Sequence, residues 1–196
     1  MKTLITEFIS LDGVVQAPGA PDEDRDGGFK HGGWSRKFFD PEVMGGTYDE
    51  LAKSSDALLQ GRRTYQVSAA AWPHRSGDSF SDWINGTQKY VVSNTLTEDD
   101  IAWQPTTIIR SADLVTKINE LREQPGGYIY MYGSPTLVRS MLAADLVDEL
   151  LLTIEPIVLG GGKSIWSQDG QALEWELVSM AKAKTGAQVC HYARVR

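Results

Sequence analysis

Residues 127–142 read GYIYMYGSPTLVRSML, a continuous apolar run that passes directly into a helix-start signal. The run at 127–132 is typical of a central strand that is buried on both faces. Ser134 and Pro135 are residue types that favour the N-cap and the first turn of a helix. Apolar residues then recur at helical spacing. This stretch therefore predicts a strand followed at once by a helix, which is the repeating unit of a parallel sheet.

The alternation of strand and helix extends in both directions from this unit. Thr47 and Glu50 form a capping-box pattern that predicts a helix from 47 to about 55, and further helices are predicted to begin at Gly61 and Ser111. The remaining predicted strands are 3–9, 57–60, 88–92, 106–110, 147–155, 174–183 and 187–195. We therefore expect an α/β fold with about eight mostly parallel strands, helices on both faces and an antiparallel C-terminal hairpin at one edge.

Composition limits the possible classes of protein. The chain has 196 residues, 41% hydrophobic and 23% charged, and a net charge of −7. These values predict one globular domain over 1–196 and argue against a nucleic-acid or anionic-membrane partner. No apolar run approaches the roughly 18 residues of a membrane helix. Cys190 is the single cysteine, so no intrachain disulfide can form, and we expect a reducing, cytoplasmic location.

Residues 16–46 contain seven Gly and three Pro and show no periodicity. A segment of this length inside a compact domain is usually functional or disordered. Trp34, Phe38 and Phe39 favour the functional interpretation, because a purely solvated linker does not need large aromatic side chains. We expect a long active-site loop here, with a disordered insertion as the alternative.

Several common motifs are absent. Gly160–Ser164 resembles the end of a phosphate loop, but Ile157 stands where the full pattern needs glycine. No G-x-G-x-x-G follows a predicted strand, and no G-x-S-x-G occurs. The three histidines are scattered and HExxH and CxxC are missing, so the sequence predicts no metal site.

Two junctions between strand and helix remain as candidate binding elements. Gly133–Thr136 follows the apolar strand at 127–132, and Gly61–Thr64 follows the strand at 57–60. The free N–H groups of a helix start suit a phosphate, and guanidinium groups can bind one bidentately. Parallel strands end at the same edge of a sheet, so a ligand with two phosphate groups, such as NADP, could span both junctions. The alternatives are an ordinary capped helix start and two solvated arginines.

Five segments in order and spacing resemble the dihydrofolate-reductase-like fold. The closer similarity is to the branch related to the reductase domain of bifunctional riboflavin-biosynthesis deaminase-reductases. The segments are SLDG at 10–13, LLQGRRTY at 58–65, QKYVVSN at 88–94, YMYGSPTLVRSML at 130–142 and DELLLTIEPIVLGGGKSIW at 148–166. The resemblance covers nearly the whole chain and implies a single-domain, eight-stranded fold that uses NADPH as hydride donor.

The resemblance also implies roles for individual residues. The adenosine 2′-phosphate would lie at Gly61, Arg62, Arg63 and Thr64, and the adenosine at Ser93 and Asn94. The pyrophosphate and nearby ribose would lie at Gly133, Ser134, Pro135, Thr136 and Leu137.

Catalysis and substrate binding are expected near the nicotinamide. The proton would come from water or from a nearby acid, and Asp12 is the first candidate for a catalytic acid. A plain turn residue before Gly13 is the alternative role of Asp12. Trp34 and Phe38 would stack on a planar substrate and exclude water. The implied function is an NADPH-dependent reductase of a small pteridine- or pyrimidine-like heterocycle. A non-catalytic nucleotide- or folate-like ligand-binding protein and a structural protein are the alternatives. We also expect a homodimer.

Two departures from dihydrofolate reductases bear on this function. Gly133–Ser134 stands where those enzymes have a Gly-Gly pair joined by a cis peptide, so the local geometry is open. Their first helix carries a pterin-binding carboxylate, and neither Asp49 nor Glu50 falls in a motif that aligns with it. The residues therefore do not support folate reduction.

Overall fold

An eight-stranded sheet forms the centre of the protein, and the computed structural model describes residues 1–196. The strand order is β4-β3-β2-β5-β1-β6-β8-β7. Strands β1 to β6 are parallel. Beyond β6, β8 is antiparallel to β6, and the edge strand β7 is antiparallel to β8. The predicted α/β fold is confirmed. The strands are β1 Lys2–Ser10, β2 Ser55–Gly61, β3 Gln88–Val92, β4 Thr106–Ile109, β5 Tyr128–Tyr132, β6 Glu149–Glu155, β7 Trp175–Lys182 and β8 Gln188–Arg194.

Helices cover both faces of this sheet, as predicted. One face packs against buried residues of α4 and α5, including Ile118 and Met141. The other packs against residues from the segments around α1, α2 and α3, including Met44, Tyr65 and Ile84. Each face therefore buries its own apolar layer. The helices are α1 Gly46–Lys53, α2 Arg62–Ala71, α3 Ser79–Gly86, α4 Leu114–Glu123 and α5 Pro135–Ala143.

Two local predictions about helices were wrong. Thr47 and Glu50 do not form a capping box, because the helical segment starts earlier, at Pro41, with a π-helical turn. Asp40 is the residue that caps it, accepting from the Glu42 backbone N–H at 3.0 Å, while the Thr47 hydroxyl donates to the Val43 carbonyl. Helix α3 was missed altogether.

Strand β1 separates from one neighbour before it separates from the other. Its pairing with β5 ends at Thr6 opposite Tyr132, whereas its pairing with β6 continues to Ser10 opposite Glu155. The carboxyl-terminal half of β1 therefore has no strand on its β5 side. This opens the sheet at the edge where the parallel strands end, which we call the carboxyl edge. The edge where they begin is the amino edge.

The segment 16–46 is packed against this carboxyl edge. Trp34, Ser35 and Asp40 are buried, and Lys163 forms ion pairs with Asp24 and Asp26 that join the segment to the glycine-rich stretch after β6. The segment's role as an active-site loop stays a prediction.

The opposite end of the sheet is exposed. Edge strand β7 leaves Leu177, Val178 and Met180 each more than half exposed. None of the helices is long and apolar enough to cross a membrane.

Candidate functional site

The two junctions predicted to bind phosphate lie side by side at the carboxyl edge. The Gly61 backbone N–H donates to Ser134 Oγ at 2.9 Å. A Cβ on Gly133 would lie only 3.1 Å from Thr64 Cγ2, so the glycine allows this close approach. The expectation that both junctions share one edge is confirmed, and they form one continuous surface.

The backbone at Gly133–Ser134 is unusual in a different way from the Gly-Gly pair of dihydrofolate reductases. The peptide between the two residues is trans, and both have left-handed φ angles, +61° at Gly133 and +59° at Ser134. A left-handed conformation is uncommon for serine and is strained unless its surroundings hold it. The Ser134 hydroxyl bond to Gly61 is such a contact, so the two junctions fix each other's shape.

The starts of α2 and α5 supply unpaired backbone donors to this surface. No side chain caps either helix, and the first N–H groups of a helix have no partner within it. In α5 the first residue is Pro135, so Thr136 and Leu137 carry the first free N–H groups. The positive ends of two helix dipoles therefore lie near each other, and this arrangement favours a negatively charged ligand.

The two adjacent arginines have different surroundings. Arg63 lines the cleft described below and forms an ion pair with Asp26. Asp26 also pairs with Lys163 Nζ at 2.9 Å. Arg62 is exposed and lies outside the cleft lining. Arg63 therefore already lines the cleft, where a ligand would compete with Asp26 for its guanidinium group. The binding of a phosphate by Arg62 stays a prediction.

A cleft of about 1050 Å³ extends from the two junctions to the opening between β1 and β5. One wall is formed by α2 and by the start of α5, through Arg63, Thr64 and Gly133 to Pro135. The other is formed by the segment 16–46. The volume is in the range of sites that bind cofactor- or drug-sized ligands.

Tyrosine and threonine hydroxyl groups form the floor of the cleft, and each is hydrogen-bonded to another side chain of the protein. Tyr132 Oη bonds to Ser68 Oγ at 2.8 Å and accepts from Trp72 Nε1 at 3.0 Å. Thr6 Oγ1 donates to Tyr130 Oη at 3.0 Å. Burial raises the pKa of Tyr130 and of Tyr132, so these phenols remain uncharged near neutral pH.

Two buried carboxyl groups near the floor each have one oxygen atom without a hydrogen-bond partner. Glu7 is 4% exposed and its Oε1 has no hydrogen-bond partner. Burial raises the pKa of Glu7 well above its ordinary value, against the opposing effect of the Gly133 N–H. Glu155 accepts from the Ser35 hydroxyl at 2.6 Å but its Oε2 has no partner, and burial raises its pKa to about 7. Of these two carboxyl groups, only Glu7 lines the cleft.

A third carboxyl group reaches the cleft from the segment 16–46. Glu23 lines the wall and its Oε2 accepts from the backbone N–H groups of Gly19 and Ala20 at 2.7 and 3.0 Å. Burial raises its pKa despite these bonds. These two bonds fix the turn at Gly19 and Ala20.

Asp12 lies outside the cleft and holds two loops together. Its carboxylate accepts from the Ser10 hydroxyl at 2.6 Å and from the backbone N–H groups of Leu159 and Gly160. The Ser10 hydrogen bond is the main reason that the pKa of Asp12 is lowered. Asp12 is thus hydrogen-bonded within the protein and absent from the cleft lining, and its role as a catalytic acid stays a prediction.

The two aromatic residues expected to stack on a substrate pack against the protein, and their role in substrate binding stays a prediction. Trp34 is 6% exposed, and its indole N–H donates to the Gln16 carbonyl at 2.8 Å. Phe38 packs against the core. Neither lines the cleft, whereas Phe39, 48% exposed, does. The apolar side chains of Trp34 and Phe38 stabilise the segment itself.

The other residues expected around the cofactor lie at the edges of this site. Ser93 is buried and its Oγ accepts from the Leu96 backbone N–H at 3.0 Å, and Asn94 Oδ1 accepts from the Ser111 N–H at 2.9 Å. Both order the loops after β3 and β4 and lie outside the cleft lining. In α5, Thr136 is exposed and Leu137 is buried in the core. Their proposed contacts with adenosine and pyrophosphate stay predictions.

The sheet order, the antiparallel C-terminal strands and the cleft at the carboxyl edge define a dihydrofolate-reductase-like α/β protein. More specifically, the chain belongs to the RibD C-terminal domain family, whose model matches residues 2–189. It is similar to the uncharacterized protein YyaP of Bacillus subtilis (strain 168), with 26% identity over 94% of this chain and 90% of that protein.

Solved structures agree with this fold. A putative riboflavin biosynthesis protein from Shewanella sp. PV-4 matches with a TM-score of 0.74 at 22% identity, over all of both chains. A dihydrofolate reductase from Enterococcus faecalis, complexed with NADP(H), matches with a TM-score of 0.61 at 14% identity, over 100% of this chain and 97% of that one.

Sequence reasoning missed the buried acids and the hydroxyl groups of the cleft. Glu7 stands in the apolar strand pattern TLITEFI, where one charged residue among buried positions was a usable signal. Glu23 and Asp26 lie in a segment without periodicity, so nothing local showed that one would fix a wall and the other would pair with Arg63.

Proposed function

We propose that the protein is an NADPH-dependent reductase that transfers a hydride to a small pteridine- or pyrimidine-like heterocycle. The main support for this function is the hydrogen bond between the two junctions, from Gly61 N–H to Ser134 Oγ at 2.9 Å. It joins two uncapped helix starts and Arg63 into one surface at the mouth of a cleft of about 1050 Å³. Such a surface fits a dinucleotide with several phosphate groups.

The residues of the carboxyl edge fit the parts of this cofactor. The free N–H groups at the start of α5 would bind the pyrophosphate, and Gly133 lets the backbone approach it closely. Arg63 and the start of α2 would bind the 2′-phosphate. When bound, the cofactor supplies a hydride. Phe39 and the segment 16–46 would cover the reacting groups and exclude water.

The substrate would lie deeper, over the hydroxyl groups of Tyr48, Tyr130 and Tyr132. These phenols stay uncharged because burial raises the pKa of each. They offer a polar but uncharged floor to a heterocycle with ring nitrogens and carbonyl groups. The homodimer and the cytoplasmic location remain part of the proposal. The exposed apolar side chains of β7 support a contact between two copies.

Titration with NADPH and with NADH tests the cofactor assignment. We expect Arg63→Ala to weaken NADPH binding about tenfold or more, because it removes charged hydrogen bonds to the 2′-phosphate. NADH lacks that phosphate and should bind this variant and the wild type alike. Arg62→Ala is the matched control, and its effect on NADPH should be much smaller, since Arg62 lies outside the cleft lining.

The same titration has outcomes that contradict the proposal. If Arg63→Ala lost affinity for NADPH and NADH equally, Arg63 would not bind the 2′-phosphate. If the wild type bound neither nucleotide, the cofactor assignment would be wrong. Loss of NADPH absorbance with pterins, folates and aminopyrimidines then tests turnover. Tight NADPH binding without turnover on this panel would identify a ligand-binding protein instead of a reductase.

A further inference from the structure

Glu7 occupies the point where the sheet opens. It is the first residue of β1 beyond the last pair with β5, Thr6 opposite Tyr132. The neighbouring strand turns away at once, because Gly133 follows Tyr132 with a φ of +61°. A buried glutamate at this position is accessible only through the gap between the two strands. Glu7 lines the cleft at that gap.

The protein gives the Glu7 carboxyl group little to bind. Its Oε1 has no partner, and a hydrogen bond from the Gly133 backbone N–H is the single interaction that lowers its pKa against the effect of burial. The neighbouring hydroxyl groups have other partners: Thr6 bonds to Tyr130, and Tyr48 bonds to Thr153 at 3.2 Å. Buried polar groups in native proteins are nearly always hydrogen-bonded, so an orphan that lines a cleft indicates a missing ligand.

Burial and the charge of Glu23, in the segment 16–46, both disfavour the ionised form of Glu7 and raise its pKa. Arg63, in the cleft lining, is paired with Asp26. Tyr48 on α1 and Tyr130 on β5 are uncharged phenols. The remaining charged groups of the cleft lining are Asp24, Arg25, Arg36, Asp49 and Arg75.

We propose that Glu7 is an uncharged carboxyl group that binds an amide-type group of the ligand, an N–H beside a C=O. A neutral carboxyl group has one O–H donor and one C=O acceptor, so it can form a reciprocal pair with such a group. A carboxylate has no donor and would leave the ligand carbonyl unpaired. The inference rests on the proposed function. The amide could be the cofactor's carboxamide or a ring lactam of the substrate.

Binding measurements with three probes separate these sources. NADPH carries a carboxamide, 2′,5′-ADP carries the same 2′-phosphate but no amide, and 6-hydroxymethylpterin carries a ring lactam. We expect Glu7→Leu to weaken either NADPH or the pterin by about tenfold, because two hydrogen bonds are lost. The affinity for 2′,5′-ADP should not change. Glu7→Gln keeps a donor and an acceptor and should restore most of the affinity.

Protonation gives a readout that does not depend on turnover. The infrared spectrum of the wild type should contain a carboxylic-acid C=O band that Glu7→Gln removes and that the bound probe shifts. As the pH rises through the pKa of Glu7, the wild type should lose affinity for the amide-bearing probe and Glu7→Gln should not. Glu149→Gln, at the amino edge, is the control and should leave both the band and the affinities unchanged.

The outcomes distinguish this inference from the proposed function. The role of Glu7 would be overturned if Glu7→Leu left the NADPH and pterin affinities unchanged, or if the infrared spectrum had no acid band. Binding of 2′,5′-ADP would still support the cofactor site in that case. Failure of the wild type to bind 2′,5′-ADP would overturn the cofactor site, and the pterin affinities and the infrared band would still decide the role of Glu7.

Discussion

At opposite edges of the same sheet, two glutamates are almost equally buried and have opposite surroundings. At the amino edge, Glu149 is 5% exposed and accepts from Lys2 Nζ, Tyr128 Oη and His191 Nε2, each at 2.8 Å. At the carboxyl edge, Glu7 is 4% exposed and its Oε1 has no partner. The same residue type is fully hydrogen-bonded at one edge and left incomplete at the other.

The contrast extends beyond these two residues. At the amino edge, Asp148 accepts from Arg122 at 2.7 Å, from Arg196 at 2.9 Å and from the Thr3 N–H at 2.9 Å. These contacts join α4 and the C-terminus to the sheet. At the carboxyl edge, two helix starts are uncapped and Ser134 is left-handed. The amino edge therefore stabilises the fold, and the carboxyl edge keeps the open polar groups that the proposed binding site requires.

Matched leucine substitutions should give effects of opposite sign on stability. Glu149→Leu removes three hydrogen bonds to a buried carboxylate and should lower the free energy of unfolding by about 2–3 kcal/mol. Glu7→Leu removes a buried polar group without a full set of partners and should raise it by about 1 kcal/mol. Urea unfolding of both variants and the wild type measures the difference. Destabilisation of both variants by equal amounts would remove the contrast between the edges.

The pH dependence of stability should also differ in sign between the edges. Burial raises the pKa of Glu155, near the carboxyl edge, from 4.5 to about 7. The folded state therefore binds more protons in that interval, and this group's contribution to stability falls as the pH rises from about 4.5 to 7. Burial alone would also raise the pKa of Glu149, but hydrogen bonds from Lys2, Tyr128 and His191 outweigh it, and the pKa is lowered. The contribution of Glu149 to stability is lost as the pH falls below the ordinary pKa of a glutamate.

Unfolding of Glu155→Gln at several pH values checks the first of these signs. The variant keeps an acceptor for the Ser35 hydroxyl, so its packing should change little. Its free energy of unfolding should depend less on pH between 5 and 7 than that of the wild type. An unchanged pH dependence in the variant would mean that Glu155 is ionised in the folded state throughout this range.

Most of the fold follows from local patterns, and β3 has the predicted bounds, 88–92. Helix α3 was missed although Phe80, Trp83 and Ile84 have the i, i+3, i+4 spacing of a helix face, because a helix of eight residues shows that spacing only once. The start of the first helical segment was wrong because Thr47 and Glu50 match a cap locally, although Asp40 and Pro41 begin the helical turns earlier.

The site was predictable only where topology decides it. Parallel strands end at one edge, which places Gly61–Thr64 beside Gly133–Thr136. Which aromatic residue of 16–46 faces the cleft depends on tertiary packing, so Phe39 could not be distinguished from Trp34 or Phe38. Glu7 lacks a neighbouring strand on one side because β5 ends before β1 does. The relative ends of two distant strands cannot be read from a local sequence pattern.

Amide hydrogen exchange with and without NADPH tests most directly which edge of the sheet is the binding site. The account predicts slower exchange on nucleotide binding at residues 61–64 and 133–137, where the two helix starts meet. It predicts no change around Glu149 and the first residues of β1 and β5. Protection of the amino edge, or no protection at either junction in the presence of saturating NADPH, would contradict the account.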